Sequence, residues 1–190
     1  MNNIAKILTI LLLALTSCAP SYSQYSTSIP TSNIEAKTVW IDVNFSNIEK
    51  SEIKAAILEW QNSLSGAYVF FIKEDFNMES EQLSNFNYDW FILKKDIKDI
   101  TARKIDENAI TLAYANMIKG NIITVIDKRS NNKKLKSIIM HEIGHLLGLS
   151  HTDGGLMNSY YTGLECIDKV AAKEIAKILF LRIENIKYCY

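Results

Sequence analysis

The sequence predicts an α+β protein in which helices pack on a layer of strands. Short β-branched and aromatic segments alternate between apolar and polar residues, whereas three longer segments repeat their apolar residues at helical spacing. These segments follow the order strand, helix, strands, helix, turn, helix. Such an order predicts an α/β or α+β layer rather than a helical bundle or a β-sandwich.

The first half of the chain contains the first strand, the first helix and two further strands. Thr38–Phe45 (TVWIDVNF) alternates as a strand does, and Ser51–Leu64 carries Ile53, Ile57 and Trp60 on one side of a helix. The next two strands are expected at Ala67–Lys73 and Tyr88–Leu93. The charged region Lys94–Asn108 has no assignment.

The second half contains two more strands and two helices. The strands are expected at Ala109–Met117 and Gly120–Asp127. A helix buried along one side follows at Lys133–Leu147, and Gly148 permits the left-handed turn that ends it. The last helix is expected within Ile167–Leu181. We see neither a repeat nor a second domain boundary.

Composition and charge limit the class of protein. The chain has 190 residues, of which 48% are hydrophobic and 22% charged, as is typical of a soluble globular domain. Lys plus Arg and Asp plus Glu number 21 each, so no overall charge would attract nucleic acid. We therefore expect no nucleic-acid partner, and we expect a monomer.

The N-terminal residues indicate export. Residues 1–17 contain one lysine, an apolar run from Ile7 to Leu15 that is too short to span a bilayer, and small residues. The run ends in Leu15-Thr16-Ser17-Cys18, which resembles the lipobox of bacterial lipoproteins. This resemblance implies a lipid on Cys18, a tether over residues 18–37 and a catalytic domain over residues 38–190. The alternative is cleavage by an ordinary signal peptidase and secretion.

A lipid on Cys18 would give the protein a location. It would hold the domain at a membrane of the bacterial cell envelope through the lipid alone. Ala19, directly after Cys18, resembles the pattern that sorts lipoproteins to the outer membrane in some Gram-negative bacteria.

Cys166 and Cys189 are the remaining cysteines. In an exported protein such a pair favours a disulfide, because disulfides persist outside the cytoplasm. Two free or buried thiols are the alternative.

The segment HEIGHLLGLSH carries the strongest chemical signal. His141 and His145 are one helical turn apart, so both imidazoles can reach one ion, and His151 can join them if the chain turns after Gly148. Three nitrogen ligands leave the fourth position of Zn²⁺ for water, which is typical of catalytic sites. Glu142 lies close enough to act as general base.

A bare HExxH pattern also occurs by chance in helices of unrelated proteins. Here all three histidines of the chain fall at the positions of one extended pattern, with glycine at the required turn. The pattern therefore predicts one catalytic zinc ion on His141, His145 and His151.

The segment resembles the HExxHxxGxxH signature of the metzincin metallopeptidases, and Met157 in GGLMN is similar to their Met-turn. The short separation between His151 and Met157, and Thr152 after the third histidine, are most similar to matrixins. This resemblance implies a twisted mixed sheet of about five strands, a zinc-site helix, Met157 beneath the metal and a C-terminal helix beginning near Cys166. Ala109–Met117 would be the antiparallel edge strand along which peptide or protein substrate binds.

The sequence also departs from the family pattern after Met157. Asn158 and Ser159 stand where matrixins carry proline, so the wall of the substrate pocket is expected to differ. Tyr160 is three residues beyond Met157, so we do not expect it to bind zinc as the tyrosine of astacin-like members does. Tyr160 or Tyr161 would contact substrate or the oxyanion, or would be an ordinary exposed aromatic.

Three hypotheses about the function remain. The first is a zinc-dependent endopeptidase with Glu142 as base, and the second is a lipid-anchored binding module that keeps the zinc fold without turnover. The third is a chance motif in a structural lipoprotein. No sequence feature supports a latency segment, and calcium binding is left open without supporting residues.

Overall fold

Five strands form one mixed sheet in the computed structural model, which describes residues 34–77, 89–96, 111–117, 121–130 and 134–189. The strands are β1 (Glu35–Asp42), β2 (Tyr68–Phe76), β3 (Trp90–Lys95), β4 (Ala113–Asn116) and β5 (Ile122–Ile126), in the order β2-β1-β3-β5-β4. β1 is parallel to β2 and β3, β3 is parallel to β5, and β4 is antiparallel to β5. The predicted α+β fold with an antiparallel edge strand is confirmed.

The described helices are α1 (Asn47–Ser63), α2 (Asp127–Ser130), α3 (Leu135–Leu146) and α4 (Lys169–Ile178), with a 3₁₀ turn at Ile183–Asn185. No helix among the described residues is long and apolar enough to cross a membrane.

Helix α1 begins four residues earlier than predicted. Ser46 and Glu49 form a capping box, in which the Glu49 N–H donates to Ser46 Oγ and the Ser46 N–H donates to the Glu49 carboxylate. This start was readable in the sequence as Ser-x-x-Glu.

Strand β1 also begins early, at Glu35, because it pairs with β2 from Glu35 opposite Tyr68 onward. The strand predicted from Thr38 therefore starts three residues earlier than expected. The predicted strand Ala109–Met117 is shorter, at Ala113–Asn116, and its first two residues lie outside the described part of the chain.

The core lies between the sheet and helices α1 and α3. Val39 and Ile41 of β1, Trp60 of α1 and Ile139 of α3 are fully buried in this cluster. The Trp60 Nε1–H donates to the carbonyl of Met140 at 3.0 Å, one residue before His141. Helix α3 is thereby fixed against α1, and Glu142 of the same helix contacts the backbone of Ala115 in β4.

Candidate metal centre

The three predicted ligands meet at one point. The Nε2 atom of His145 lies 3.1 Å from Nε2 of His141 and 3.1 Å from Nε2 of His151. Nitrogens bound to one tetrahedral zinc at about 2.05 Å would be roughly 3.3 Å apart. The spacing of the three nitrogens therefore fits zinc.

Gly148 produces the turn that separates the second ligand from the third. Its φ is +96°, the Leu149 N–H donates to Gly144 O at 2.9 Å, and the Gly148 N–H donates to His145 O at 2.9 Å. These bonds form a Schellman motif, which needs the left-handed conformation that glycine adopts without strain. The same turn brings the Leu149 carbonyl within 2.8 Å of His145 Nδ1.

The turn around Met157 orients the first ligand. The carbonyl of Leu156 lies 2.8 Å from His141 Nδ1, and the Thr152 N–H donates to Met157 O at 2.9 Å. Met157 itself is buried. Because a carbonyl only accepts, both Nδ1 atoms must carry the proton, which leaves the Nε2 lone pairs of His141 and His145 facing the common point.

Burial keeps these imidazoles neutral. It lowers the pKa of His141 to about 4, with a smaller opposing effect from the Leu156 carbonyl. Burial likewise lowers the pKa of His145. A neutral imidazole has the free lone pair that a metal ligand requires, so His141 is ready to bind metal at neutral pH.

Glu142 lies in the buried wall of the site. Burial raises its pKa to about 8, and a hydrogen bond from the backbone N–H of Ala115 in β4 opposes this shift. A dication at the histidines would favour the ionised carboxylate, because opposite charges a few ångströms apart lower the pKa of an acid. The carboxyl group thus contacts the backbone of the edge strand, one residue along helix α3 from His141.

Gly144 is a site residue that the sequence analysis missed. A Cβ atom built on it would overlap the sulfur of Met157 and lie 3.1 Å from its methyl group and 3.5 Å from Leu149. Helix α3 therefore rests directly on the end of the Met157 side chain, which would have to move if a Cβ were present. The signal in the sequence was the glycine inside an otherwise strongly apolar helix.

The segment after Met157 is held by its own polar side chains. Asn158, which stands where matrixins carry proline, donates from Nδ2 to Asp153 O at 3.3 Å and accepts the Tyr160 N–H at 2.9 Å. The Tyr160 side chain is 70% exposed. It remains a candidate for substrate contact.

Tyr161 contacts the beginning of helix α3. Its hydroxyl accepts the backbone N–H of Lys134 at 2.9 Å, at the beginning of helix α3. Lys134 precedes His141 by seven residues, or about 10 Å along a helix axis. Tyr161 holds the start of helix α3, and its contact with substrate or oxyanion stays a prediction.

The two C-terminal cysteines are joined. Cys166 and Cys189 form a disulfide with Cα atoms 6.0 Å apart. Cys18 lies outside the described residues. Within the described part of the chain, the three histidines are the group of three or more His, Cys, Asp or Glu side chains that could hold a metal ion.

The site combines two imidazoles from one helix, a third from beyond a glycine turn, and a buried glutamate. This combination is typical of the metal centre of a metallopeptidase. The family model described as Peptidase_M10: Matrixin matches residues 26–178, which is well over half of the chain. The chain belongs to the matrixin family of zinc metallopeptidases, and the predicted resemblance is confirmed.

Among solved structures, the chain is similar to metalloproteinase-II from Bacteroides fragilis, with 16% identity and a TM-score of 0.45 over 77% of this chain and 53% of that one. The chain thus spans about half the length of that structure. No curated protein matches the sequence.

The contact between Gly144 and Met157 predicts the effect of adding one methyl group. Gly144→Ala should lower the free energy of unfolding by about 1–3 kcal/mol, because the overlap with a buried side chain forces helix and turn apart. Gly154→Ala is the matched control, since a Cβ there meets nothing within 4 Å. Urea unfolding followed by circular dichroism measures both. Equal stability of the two variants would contradict the close contact.

Proposed function

We propose that the chain is a zinc-dependent endopeptidase, with zinc on His141, His145 and His151 and Glu142 as the general base. The observation that carries this proposal is the convergence of the three Nε2 atoms, with the Nδ1 atoms of the two helical ligands already held by backbone carbonyls. A site prepared in this way binds metal without reorganising its ligands. Family membership supports the same class of reaction.

The roles of the protein groups follow from their positions. When bound, zinc lowers the pKa of a water and polarises the carbonyl of the scissile peptide bond. Glu142 accepts the proton of the attacking water and passes it to the departing amine. With a dication on the histidines the carboxylate would be ionised and could take up that proton, because an opposite charge a few ångströms away favours the charged form of an acid.

Edge strand β4 supplies the proposed binding surface for an extended peptide. The Ile126 N–H donates to Leu112 O at 3.0 Å, and Ala113 lies opposite Val125. Since antiparallel pairs alternate in bonding, Ala113 and Ala115 turn their N–H and C=O groups away from β5. The Ala115 N–H donates to Glu142, so the Ala115 carbonyl and both backbone groups of Ala113 are left for a substrate strand. A substrate strand would add there by backbone hydrogen bonds.

We also propose that the domain is exported and held at a membrane by a lipid on Cys18. The support is the apolar run from Ile7 to Leu15, followed by a lipobox-like Leu15-Thr16-Ser17-Cys18. Strand β1 begins at Glu35, which leaves about 16 residues between lipid and domain.

Metal removal tests the proposed function most directly. The full chain should hold one zinc ion per molecule by elemental analysis and should cleave an unfolded protein substrate. A chelator should abolish cleavage, and added zinc should restore it. Zinc at one per chain with no cleavage of a broad peptide library would favour the binding module. Absence of bound metal in the zinc-equilibrated protein would favour a chance motif.

Replacement of the base separates chemistry from metal binding. Glu142→Gln keeps the shape of the side chain and an oxygen for the Ala115 N–H. It should retain one zinc per chain while kcat falls by at least about 100-fold. Glu174→Gln is the control, because Glu174 is an exposed partner of Lys177 on helix α4 and should change kcat little. Comparable kcat for Glu142→Gln and the parent would show that another group is the base.

Lipid attachment is tested by Cys18→Ser. In a bacterial host the parent should incorporate radiolabelled palmitate and sediment with membranes, whereas the variant should do neither, because serine offers no thiol. The variant should retain peptidase activity, since the site does not include Cys18. Labelling of both proteins would place the lipid elsewhere, and labelling of neither would favour ordinary secretion.

A further inference from the structure

A continuous path of bonds leads from the C-terminal disulfide to the first zinc ligand. Asp168 Oδ2 accepts the Leu156 N–H at 2.7 Å, and the carbonyl of the same Leu156 receives His141 Nδ1 at 2.8 Å. Leu156, whose carbonyl orients His141, is therefore held through its N–H by the carboxylate of Asp168, which directly precedes helix α4.

Both oxygens of Asp168 are used. Oδ1 accepts the N–H groups of Val170 at 2.8 Å and Ala171 at 3.3 Å, so Asp168 is the N-cap of helix α4. On the other side Gly155, with φ +74°, lies so close that a Cβ there would overlap the carboxylate. The side chain thus joins the Met157 turn to α4 with no room to move.

The disulfide holds the backbone next to Asp168. Cys166 precedes Asp168 by two residues. Its disulfide partner Cys189 pairs with Asp168 in an isolated β-bridge, and the Cys189 N–H donates to Ile167 O at 2.9 Å. Two residues earlier, the Lys187 N–H donates to Ser63 O at 3.0 Å, at the end of helix α1. The C-terminal segment is therefore anchored on the body of the domain.

We propose that Asp168 is a positioning residue for His141 and that the Cys166–Cys189 disulfide keeps Asp168 in place for this role. The affinity of the three histidines for metal then depends on a covalent bond outside the site. Groups that hold the ligands of a metal typically contribute about 10- to 100-fold in metal affinity. This inference rests on the proposed zinc site, but it concerns metal binding and not turnover.

The first experiment measures zinc affinity of the full chain by competition with a chromophoric chelator. Asp168→Asn keeps the shape but loses one acceptor oxygen, so the Leu156 N–H and the α4 cap cannot both be satisfied. Its zinc affinity should fall by about tenfold or more. Ser46→Ala is the matched control, because it removes the N-cap of α1 and should lower Tm by a similar amount without changing affinity.

The visible spectrum of the cobalt-substituted protein gives a second readout, because it reports the geometry of the ligands. The spectrum of Asp168→Asn should differ from that of the parent, whereas that of Ser46→Ala should not. A lower Tm for Asp168→Asn, with zinc affinity within twofold of the parent and an identical cobalt spectrum, would reduce Asp168 to a helix cap and overturn the proposal.

The disulfide is tested by the double replacement Cys166→Ser with Cys189→Ser. Zinc affinity should fall, and Asp168→Asn added to it should cost less than it does in the parent, since both act through one path. Affinity equal to that of the parent, or fully additive losses, would remove the disulfide from the path.

If the double variant does not fold, the parent is reduced in its folded state with a phosphine and desalted before the metal titration. In that step the S–S bond breaks, each sulfur takes a proton from water, and the phosphine becomes its oxide. Zinc affinity should fall in the reduced protein, and an unchanged affinity would overturn the role of the disulfide. A parent that binds zinc but cleaves nothing would fail the proposed function while leaving these comparisons intact.

Discussion

Gly144 of helix α3 rests directly on Met157, and the metal centre depends on that contact. A straight helix brings only two imidazoles to one point, so the third must return from beyond the helix end. Gly148 turns the chain, and the segment that follows passes beneath the helix at Met157. This close passage lets the turn offer the Leu156 carbonyl to His141, as the turn at Gly148 offers the Leu149 carbonyl to His145. Two glycines therefore set the orientation of two ligands.

The burial of the site also determines the protonation states of its side chains. Burial lowers the pKa of His141 and raises that of Glu142, so without metal the centre favours neutral groups at neutral pH. A dication would favour the ionised form of the carboxyl group. The imidazoles would stay neutral, because the ion would occupy their Nε2 lone pairs. Metal binding and ionisation of Glu142 are therefore coupled.

Sequence patterns predicted those parts of the structure that are determined by residues close together in the chain. Helical spacing gave His141 and His145, a glycine at the helix end gave the turn, and alternation gave the strands. The early start of α1 was also local, in Ser46 and Glu49. Pairing with a distant strand decides the start of β1, which the sequence analysis therefore placed too late. The roles of Gly144, Tyr161 and Asp168 were equally hidden, because their partners Met157, Lys134 and Leu156 are 12 or more residues away and become neighbours only in the fold.

Under the proposed function, edge strand β4 would tie the position of a substrate to the position of the base. The Ala115 N–H donates to Glu142, while the Ala115 carbonyl and both backbone groups of Ala113 face the open edge. In the proposed complex, a peptide pairing with these groups would have its register fixed by the residue that also holds the carboxylate. A slip by one residue would turn the peptide's bonding groups away from the strand. The scissile bond would therefore be placed relative to Glu142 by the backbone alone, and side-chain preference would be left to the exposed segment around Tyr160.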